Sequence, residues 1–82
     1  MQLLVISAAK QASYDIEWID CNTAQGNFVI QENHAPTIFV LEPDSIVTFL
    51  VHEKKTITQI SVKQGVLDIT REKITLLITQ DK

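Results

Sequence analysis

The sequence predicts an all-β fold, a two-sheet antiparallel β-sandwich of about eight to ten short strands in a single domain over residues 1–82. Ile, Val and Thr supply 26 of the 82 residues, and branching at Cβ favours extended backbone on a pleated, half-buried surface. Short polar breaks separate the apolar runs at close intervals, a spacing typical of sandwiches and barrels.

The strands follow from these runs in chain order. Alternation is clearest near the end of the chain, where Leu67 and Ile69 are expected to face the core, as are Ile74, Leu76 and Ile78. The phase slips by one between Ile57 and Ile60, which predicts a bulge near Gln59. The expected strands are Leu3 to Ser7, Tyr14 to Cys21, Asn27 to Ile30, Thr37 to Leu41, Ile46 to His52, Thr56 to Val62, Val66 to Thr70 and Ile74 to Thr79.

Four breaks between the runs predict turns. Glu42 to Ser45 contains Pro43 at the second position and is expected to form a type I turn. The charged breaks at residues 52–55 and 70–73 are expected to be hairpin tips. Residues 8–12 are rich in helix-forming alanine, but an isolated helix this short is marginal in water, so a turn is favoured there over a helix.

Composition excludes several classes of protein. The formal net charge is −3, the pI is about 5.1, and the longest basic run is the pair Lys54 and Lys55, so nucleic-acid binding is not expected. The longest apolar stretches are too short to cross a membrane, and no basic segment leads a long apolar one as in a signal peptide. A single cysteine, Cys21, fits a reducing compartment. We therefore expect an intracellular protein with no direct membrane insertion.

The sequence also offers little for catalysis. The two glycines, Gly26 and Gly65, stand far apart, so no phosphate-binding loop or dinucleotide fingerprint exists. Cys21, His34 and His52 lack metal-ligand spacing, and no metal or cofactor is expected. A nucleophilic arrangement of Cys21, His34 and an aspartate is conceivable, but Cys21 is better explained as a small buried strand residue. Trp18 is likewise assigned to the core or to packing between sheets rather than to a ligand platform.

One segment is more specific than the rest. Residues 26–36 read Gly-Asn-Phe-Val-Ile-Gln-Glu-Asn-His-Ala-Pro. This stretch resembles the glycine-led strand and His-Ala-Pro loop of F-type ATP synthase epsilon subunits, in their N-terminal β-sandwich domain. The matching positions are Gly26, Phe28, Ile30, His34, Ala35 and Pro36.

Further matches follow in the same order between residues 16 and 78. Residues 41–44 resemble the family's Leu-x-Pro-Gly turn, residues 65–69 its Gly-Phe-Leu-Glu-Val strand, and residues 73–77 its closing strand. Asn33 and Asp44 stand where the family has glycine, and these residue types best tolerate positive φ after glycine, so both turns are expected to survive. Glu32, Val29 and residues 63–64 also depart from the family pattern. The chain stops at Lys82, where most epsilon subunits continue into a helical hairpin, so it resembles a short form without that regulatory segment.

The resemblance implies a non-catalytic rotor subunit in the central stalk of an F-type ATP synthase. Such a subunit couples rotation of the c-ring to the gamma subunit and to ATP synthesis, and is peripheral to the cytoplasmic face of the inner (plasma) membrane. Its expected partners are the gamma subunit and the c-ring. The family's c-ring loops carry a positive residue, so the expected ring contact is the polar segment with Gln25, Gly26, Asn27, Glu32 and His34. For His34, a structural role in the turn before Pro36 is equally open.

An alternative from a different class is a paralogous β-sandwich adaptor or scaffold outside ATP synthase. Such a protein could form a homodimer through an exposed strand edge. An enzyme is a distant third possibility, because it requires a deep pocket that joins Cys21 to a histidine.

Overall fold

The computed structural model describes residues 1–81, and every regular element among them is a β-strand. Seven strands replace the expected eight to ten, because two of them are long. Among the described residues there is no helix that could cross a membrane. The strands are β1 (Gln2–Ile6), β2 (Gln11–Thr23), β3 (Gly26–Gln31), β4 (Thr37–Val40), β5 (Ser45–Val51), β6 (Thr56–Ile69) and β7 (Lys73–Asp81).

The two long strands, β2 and β6, take part in both layers of the sandwich. The first sheet has the order β3–β2–β5–β6 and uses the second half of β2 and the first half of β6. The second sheet has the order β2–β1–β7–β6–β4 and uses the other halves. All pairings are antiparallel except that of β1 with β7. The predicted antiparallel β-sandwich is thus confirmed, with one parallel pair.

Irregularities in register mark where the long strands pass from one sheet to the other. In β2 the register against β5 shifts between Ile16 and Trp18, and in β6 the register against β7 shifts between Val62 and Gly65. Bulges of this kind bend a strand and increase its twist. The predicted bulge near Gln59 is wrong, because β5 and β6 pair without interruption from Thr56 to Val62.

The core lies between the two sheets and is almost entirely aliphatic. Phe49 is fully buried at its centre, and the ring of Tyr14 lies 4.9 Å from it, centroid to centroid. The alternation predicted for β6 and β7 is confirmed, since the five expected positions are all buried. Trp18 is a correction: it is half-buried on the outer face of the first sheet, beside Leu50, because the bulge before it reverses the alternation. The buried apolar residues are Leu3, Val5, Ile16, Ile19, Cys21, Ile30, Leu41, Val47, Phe49, Val62, Leu67, Ile69, Ile74, Leu76 and Ile78.

The turns follow the predictions in part. Residues 7–10 form a turn and no helix, as expected. Asn33 and Asp44 have φ of 70° and 55°, so both occupy the left-handed conformation that glycine adopts without steric cost. The Pro43–Asp44 turn is therefore not of type I, because the third residue of a type I turn has negative φ.

Candidate docking surface

Gln25 and Gly26 lie at the tip of the hairpin between β2 and β3. The two-residue loop is held by Thr23, whose Oγ1 donates to the Gly26 carbonyl at 3.0 Å and accepts from the Gln25 N–H at 3.1 Å. Gly26 has φ of 127°, a conformation that residues with a Cβ rarely adopt. Both residues are exposed, so the tip presents a rigid polar surface to solvent.

Asn27 begins β3 and is tied back to β2 by its side chain. Its Nδ2 donates to Asp20 Oδ1 at 2.6 Å, to Asn22 Oδ1 at 2.9 Å and to the Cys21 carbonyl at 3.2 Å. Three acceptors saturate the amide nitrogen, which has two protons to donate. Asn27 therefore offers a partner mainly its Oδ1 atom, at a fixed position.

Glu32 and His34 lie in the loop at the opposite end of β3. The His34 Nδ1 lies 2.7 Å from the Ala35 carbonyl, a contact in which Nδ1 donates, and the imidazole meets the Phe39 ring edge-on at a centroid distance of 6.4 Å. His34 is half-buried, whereas Glu32 is exposed. The structural role foreseen for His34 is thus present, and a partner contact through its ring remains a prediction.

The five residues predicted to contact the ring do not form one loop. β3 spans six residues between its two ends, so Gly26 and Gln31 lie roughly 16 Å apart along the strand. Gln25, Gly26 and Asn27 stand at one end of the sandwich, and Glu32 and His34 stand at the other. A short motif looks continuous in sequence, but an extended strand inside it separates its halves in space.

The Glu32 end contains charges that are largely paired within the chain. The Met1 ammonium lies 3.2 Å from Asp15 Oδ1 and 4.0 Å from Glu32 Oε2, around a cavity of about 370 Å³. Glu17 contacts the Lys55 ammonium and lies 3.5 Å from His52 Nδ1. The hydrogen bond from Lys55, helped by the charges of Lys55 and His52, lowers the pKa of Glu17 below its ordinary value of 4.5. Sequence reasoning missed this cluster, because alternation with apolar neighbours made these carboxylates look merely solvated.

The hairpin end is different, since its carboxylates lack such partners. Backbone bonds bring its loops together: the Glu42 N–H donates to the Asn22 carbonyl at 2.8 Å, and the Asp44 N–H donates to the Lys63 carbonyl at 3.0 Å. Glu42 and Asp44 are exposed, and neither forms an ion pair with any side chain in the described part of the chain. This end is therefore an acidic, polar rim.

The outer face of the second sheet forms an unusual apolar surface. Val40, Val66, Leu77 and Ile6 are consecutive partners across four strands. Val40 is 66% exposed, and Leu77 is 43% exposed. Contiguous exposed aliphatic side chains of this kind mark interaction surfaces. The outer apolar face comprises Leu4, Ile6, Ile38, Val40, Val66 and Leu77.

Cys21 is inaccessible to substrate or metal. It is fully buried on β2 opposite Phe28, and burial, assisted by the charge of Asp20, raises the pKa of its thiol to about 11. His34 belongs to the loop at the far end of β3, so the imagined nucleophilic arrangement is not assembled. The side chains that the structure describes include no cluster of three His, Cys, Asp or Glu residues able to hold a metal ion.

Comparison with known proteins agrees with this architecture. A chain in the cryo-EM structure of the central stalk and c-ring of the Tetrahymena thermophila mitochondrial ATP synthase is similar, with a TM-score of 0.81 and 14% identity. The similarity covers 98% of this chain and 63% of that chain, so the present chain spans less than two thirds of its length. At this identity the likeness shows the fold alone. No curated protein sequence matches the chain.

The sequence profile of one family extends over nearly the whole chain. The family is described as "ATP synthase, Delta/Epsilon chain, beta-sandwich domain", and its profile matches residues 1–80. The chain therefore belongs to the family of β-sandwich domains of ATP synthase delta and epsilon chains.

Proposed function

We propose that this protein is a non-catalytic subunit of the rotor stalk of an F-type ATP synthase. Family membership over residues 1–80 is the observation that carries this proposal. In that position the domain couples rotation of the c-ring to the gamma subunit, and it lies peripherally at the membrane surface, on the cytoplasmic face of the inner (plasma) membrane. A close-packed sandwich suits this task, because a stiff interior transmits strain between partners on its surface.

The hairpin end is our candidate for the contact with the ring. The exposed carboxylates of Glu42 and Asp44 form no ion pair with a side chain in the described part of the chain, although the backbone of Lys63 adjoins Asp44, so they are available to a positive residue on a ring loop. Gln25, Gly26 and Asn27 complete this rim. At the other end, Glu32 already shares the Met1 ammonium with Asp15, which makes Glu32 and His34 the weaker half of the original prediction.

The outer apolar face is our candidate for the gamma subunit. Its aliphatic row crosses four strands, so a partner can bury it as one continuous patch. Burial of such a hydrophobic patch stabilises the complex with the gamma subunit, while the polar rim at the hairpin end makes a second, weaker contact with the ring. The two surfaces adjoin, because Val40 of the apolar face lies two residues before Glu42 of the rim, so the domain can hold both partners side by side.

Reconstitution with purified gamma subunit tests the proposal. We expect a stable one-to-one complex by size-exclusion chromatography, and Ile38→Lys should abolish it. Ile57→Lys is the matched control, because Ile57 is 61% exposed and Ile38 is 65% exposed, but Ile57 lies on the first sheet. Failure of the unmodified chain to bind gamma, together with self-association, would favour the adaptor alternative.

The ring contact is tested by charge reversal at each end of the sandwich. Glu42→Lys should weaken association of the gamma complex with detergent-solubilised c-ring, whereas Glu32→Lys should have a smaller effect. Both side chains are exposed, so neither substitution should disturb folding. If Glu32→Lys proves the more damaging change, the assignment of the hairpin end to the ring is wrong.

A further inference from the structure

Trp18 lies in the middle of the first sheet, on the face that points away from the core. It pairs with Gln31 of β3 on one side and with Leu50 of β5 on the other. Leu50 pairs in turn with Ile57 of β6. Trp18 and Leu50 are half-buried, and Ile57 is 61% exposed. The four side chains therefore form one row across the sheet, and the indole presents part of its surface outward.

Asp20 follows Trp18 on the same face of β2. The two residues on either side of it, Ile19 and Cys21, are fully buried, so the Asp20 side chain points outward as that of Trp18 does. Two residues along a strand are roughly 7 Å apart between Cα atoms. The carboxylate of Asp20 and the indole of Trp18 are therefore neighbours along the strand.

The Asp20 carboxylate is held in position but is not neutralised. Its Oδ1 accepts a hydrogen bond from Asn27 Nδ2 at 2.6 Å. A carboxylate has about four lone-pair sites, so this bond leaves the second oxygen open. Among the side chains that the structure describes, Asp20 forms no ion pair, and Lys55 is held by Glu17. Asp20 is thus a fixed negative charge beside an aromatic ring.

The charge of this face indicates the chemistry of its occupant. Beyond the bulge at Glu17, Asp20 is the one charged residue among the described side chains that point outward from the four strands. These are Trp18, Asp20, Asn22, Asn27, Val29, Gln31, Ile46, Thr48, Leu50, Ile57, Gln59 and Ser61. A cation that docks here meets one opposite charge and no like charge, and the net charge of −3 on the chain attracts it.

The indole narrows the choice of cation. A positive group within about 6 Å of an indole centroid is attracted by the negative face of the ring. Guanidinium is planar and weakly hydrated, so it can stack on the ring and donate from its edge to a carboxylate at the same time. A lysine ammonium is a strongly hydrated point charge and gains less from this arrangement. Trp18 and Asp20 therefore fit arginine best.

We propose that Trp18 and Asp20 form a binding site for an arginine side chain of a partner protein. The guanidinium stacks on the indole and donates to the open oxygen of Asp20. Apolar residues next to the arginine cover Leu50 and Ile57, so the partner segment carries arginine between apolar residues. The proposal does not depend on the stalk assignment, because neither Trp18 nor Asp20 belongs to the outer apolar face or to the rim at the hairpin end.

Titration of the isotope-labelled chain with the peptide acetyl-GVRVG-amide, followed by NMR, tests this proposal. We expect saturable binding with a dissociation constant of about 1 mM, since the contact is small and partly exposed. The indole N–H signal of Trp18 and the methyl signals of Leu50 and Ile57 should shift. Trp18 is the single tryptophan of the chain, so its fluorescence gives an independent measure of affinity.

Two changes of the peptide make the test specific. Citrulline in place of arginine keeps the shape and removes the charge, and should weaken binding about fivefold or more. Lysine in the same position should weaken binding about two- to threefold. Raising the salt concentration from about 20 mM to about 500 mM should weaken binding of the arginine peptide and leave that of the citrulline peptide unchanged.

Matched variants of the chain assign the site. Asp20→Asn should weaken binding about fivefold and abolish the preference for arginine over citrulline, while its amide oxygen can still accept from Asn27. Asp68→Asn is the control, because Asp68 is also half-buried and points outward, but from the second sheet. Trp18→Leu should weaken binding about three- to fivefold. The NMR spectrum shows whether each variant is folded, and Asp20→Asn decides the outcome if Trp18→Leu is not.

Several results would overturn the proposal. These are equal affinity for the arginine and citrulline peptides, an equal loss with Asp68→Asn, and no saturation at about 10 mM peptide. Shifts at Ile38 and Leu77 in place of Trp18 would move the site to the other sheet. Concentration-dependent dimerisation that shifts the indole signal would assign the face to a second copy of this chain, and would overturn the proposal as well.

Discussion

Phe28 on β3 and Phe39 on β4 stack with their ring centroids 4.7 Å apart and their planes inclined by 28°. The two strands belong to different sheets, so this contact helps to close one side of the sandwich, together with the bridge between Thr23 and Leu41. Both rings are half-buried and pack against the core. The polar loop between them, residues 32–36, is anchored by His34, whose ring also meets Phe39.

Replacement of either ring should therefore weaken the domain. We expect Phe39→Ala to lower the free energy of unfolding by about 2–4 kcal/mol, through lost burial and the cavity left behind. A double-mutant cycle with Phe28→Ala should give a coupling energy of about 0.5–1.5 kcal/mol, measured by urea denaturation. Ile57→Ala, at an exposed site, should change stability by less than about 0.5 kcal/mol. Strictly additive effects of the two Phe substitutions would mean that the stack contributes nothing beyond burial.

The left-handed turn at Asn33 gives a second prediction. Because Asn33 has φ of 70°, Asn33→Ala should destabilise the domain by about 1 kcal/mol, since Cβ crowds the backbone in this conformation. Asn33→Gly should leave stability unchanged or raise it by a few tenths of a kcal/mol. Thermal denaturation of the two variants measures the difference directly. Equal melting temperatures for the Ala and Gly variants would contradict the assigned backbone conformation.

Gly65 is needed for a different reason, the close approach of neighbouring chain. A Cβ at this position would lie 3.0 Å from the Leu77 carbonyl oxygen and 3.0 Å from Val62 Cγ1, and the carbonyl cannot rotate away. We expect Gly65→Ala to cost about 1–3 kcal/mol by overpacking, measured by urea denaturation. Gln64→Ala, at the exposed neighbouring site, should stay within about 0.5 kcal/mol. A neutral Gly65→Ala would show that β7 shifts easily past this bulge.

Gly65 also illustrates where sequence reasoning stops. Alternation of apolar and polar residues is sufficient to predict the strands and the inward positions of β7. A hydrophobic period of two over several residues indicates a strand with one buried face. Residues 63–65 carry a polar pair and a glycine, which are loop signals, so the sequence predicts two strands in place of β6. Pairing with β7 overrides that local preference. No local signal reports such long-range pairing.

The candidate site shows the same limit. The types of residue at positions 25–27, 32 and 34 suggested a polar docking segment, but their separation depends on the strand between them being fully extended. Likewise, the position of Trp18 depends on a bulge at Glu17 that the hydrophobic pattern did not reveal. Register irregularities arise from pairing with distant strands. The residues at a bulge therefore do not by themselves indicate where the bulge lies.

The buried thiol of Cys21 predicts how stability depends on alkaline pH. Its pKa rises from 9.0 to about 11 on folding, because burial disfavours the thiolate. The stabilisation is therefore fully present below pH 9 and is lost as pH rises toward about 11, where the unfolded chain releases a proton that the folded chain retains. The total loss is about 2–3 kcal/mol, at a slope of roughly 1.4 kcal/mol per pH unit.

Urea denaturation of the unmodified chain and of Cys21→Ala between pH 8 and pH 10.5 isolates this contribution, because the two proteins differ only at residue 21. We expect Cys21→Ala to be less stable at pH 8, through a small cavity, but to lose less stability as the pH rises. A thiol reagent should modify the folded chain only at the rate of opening, since Cys21 is fully buried. Parallel pH profiles for the two proteins, or immediate modification of the native thiol, would show that Cys21 is not enclosed by the sandwich, and hence that β2 and β3 do not pack on the core as described.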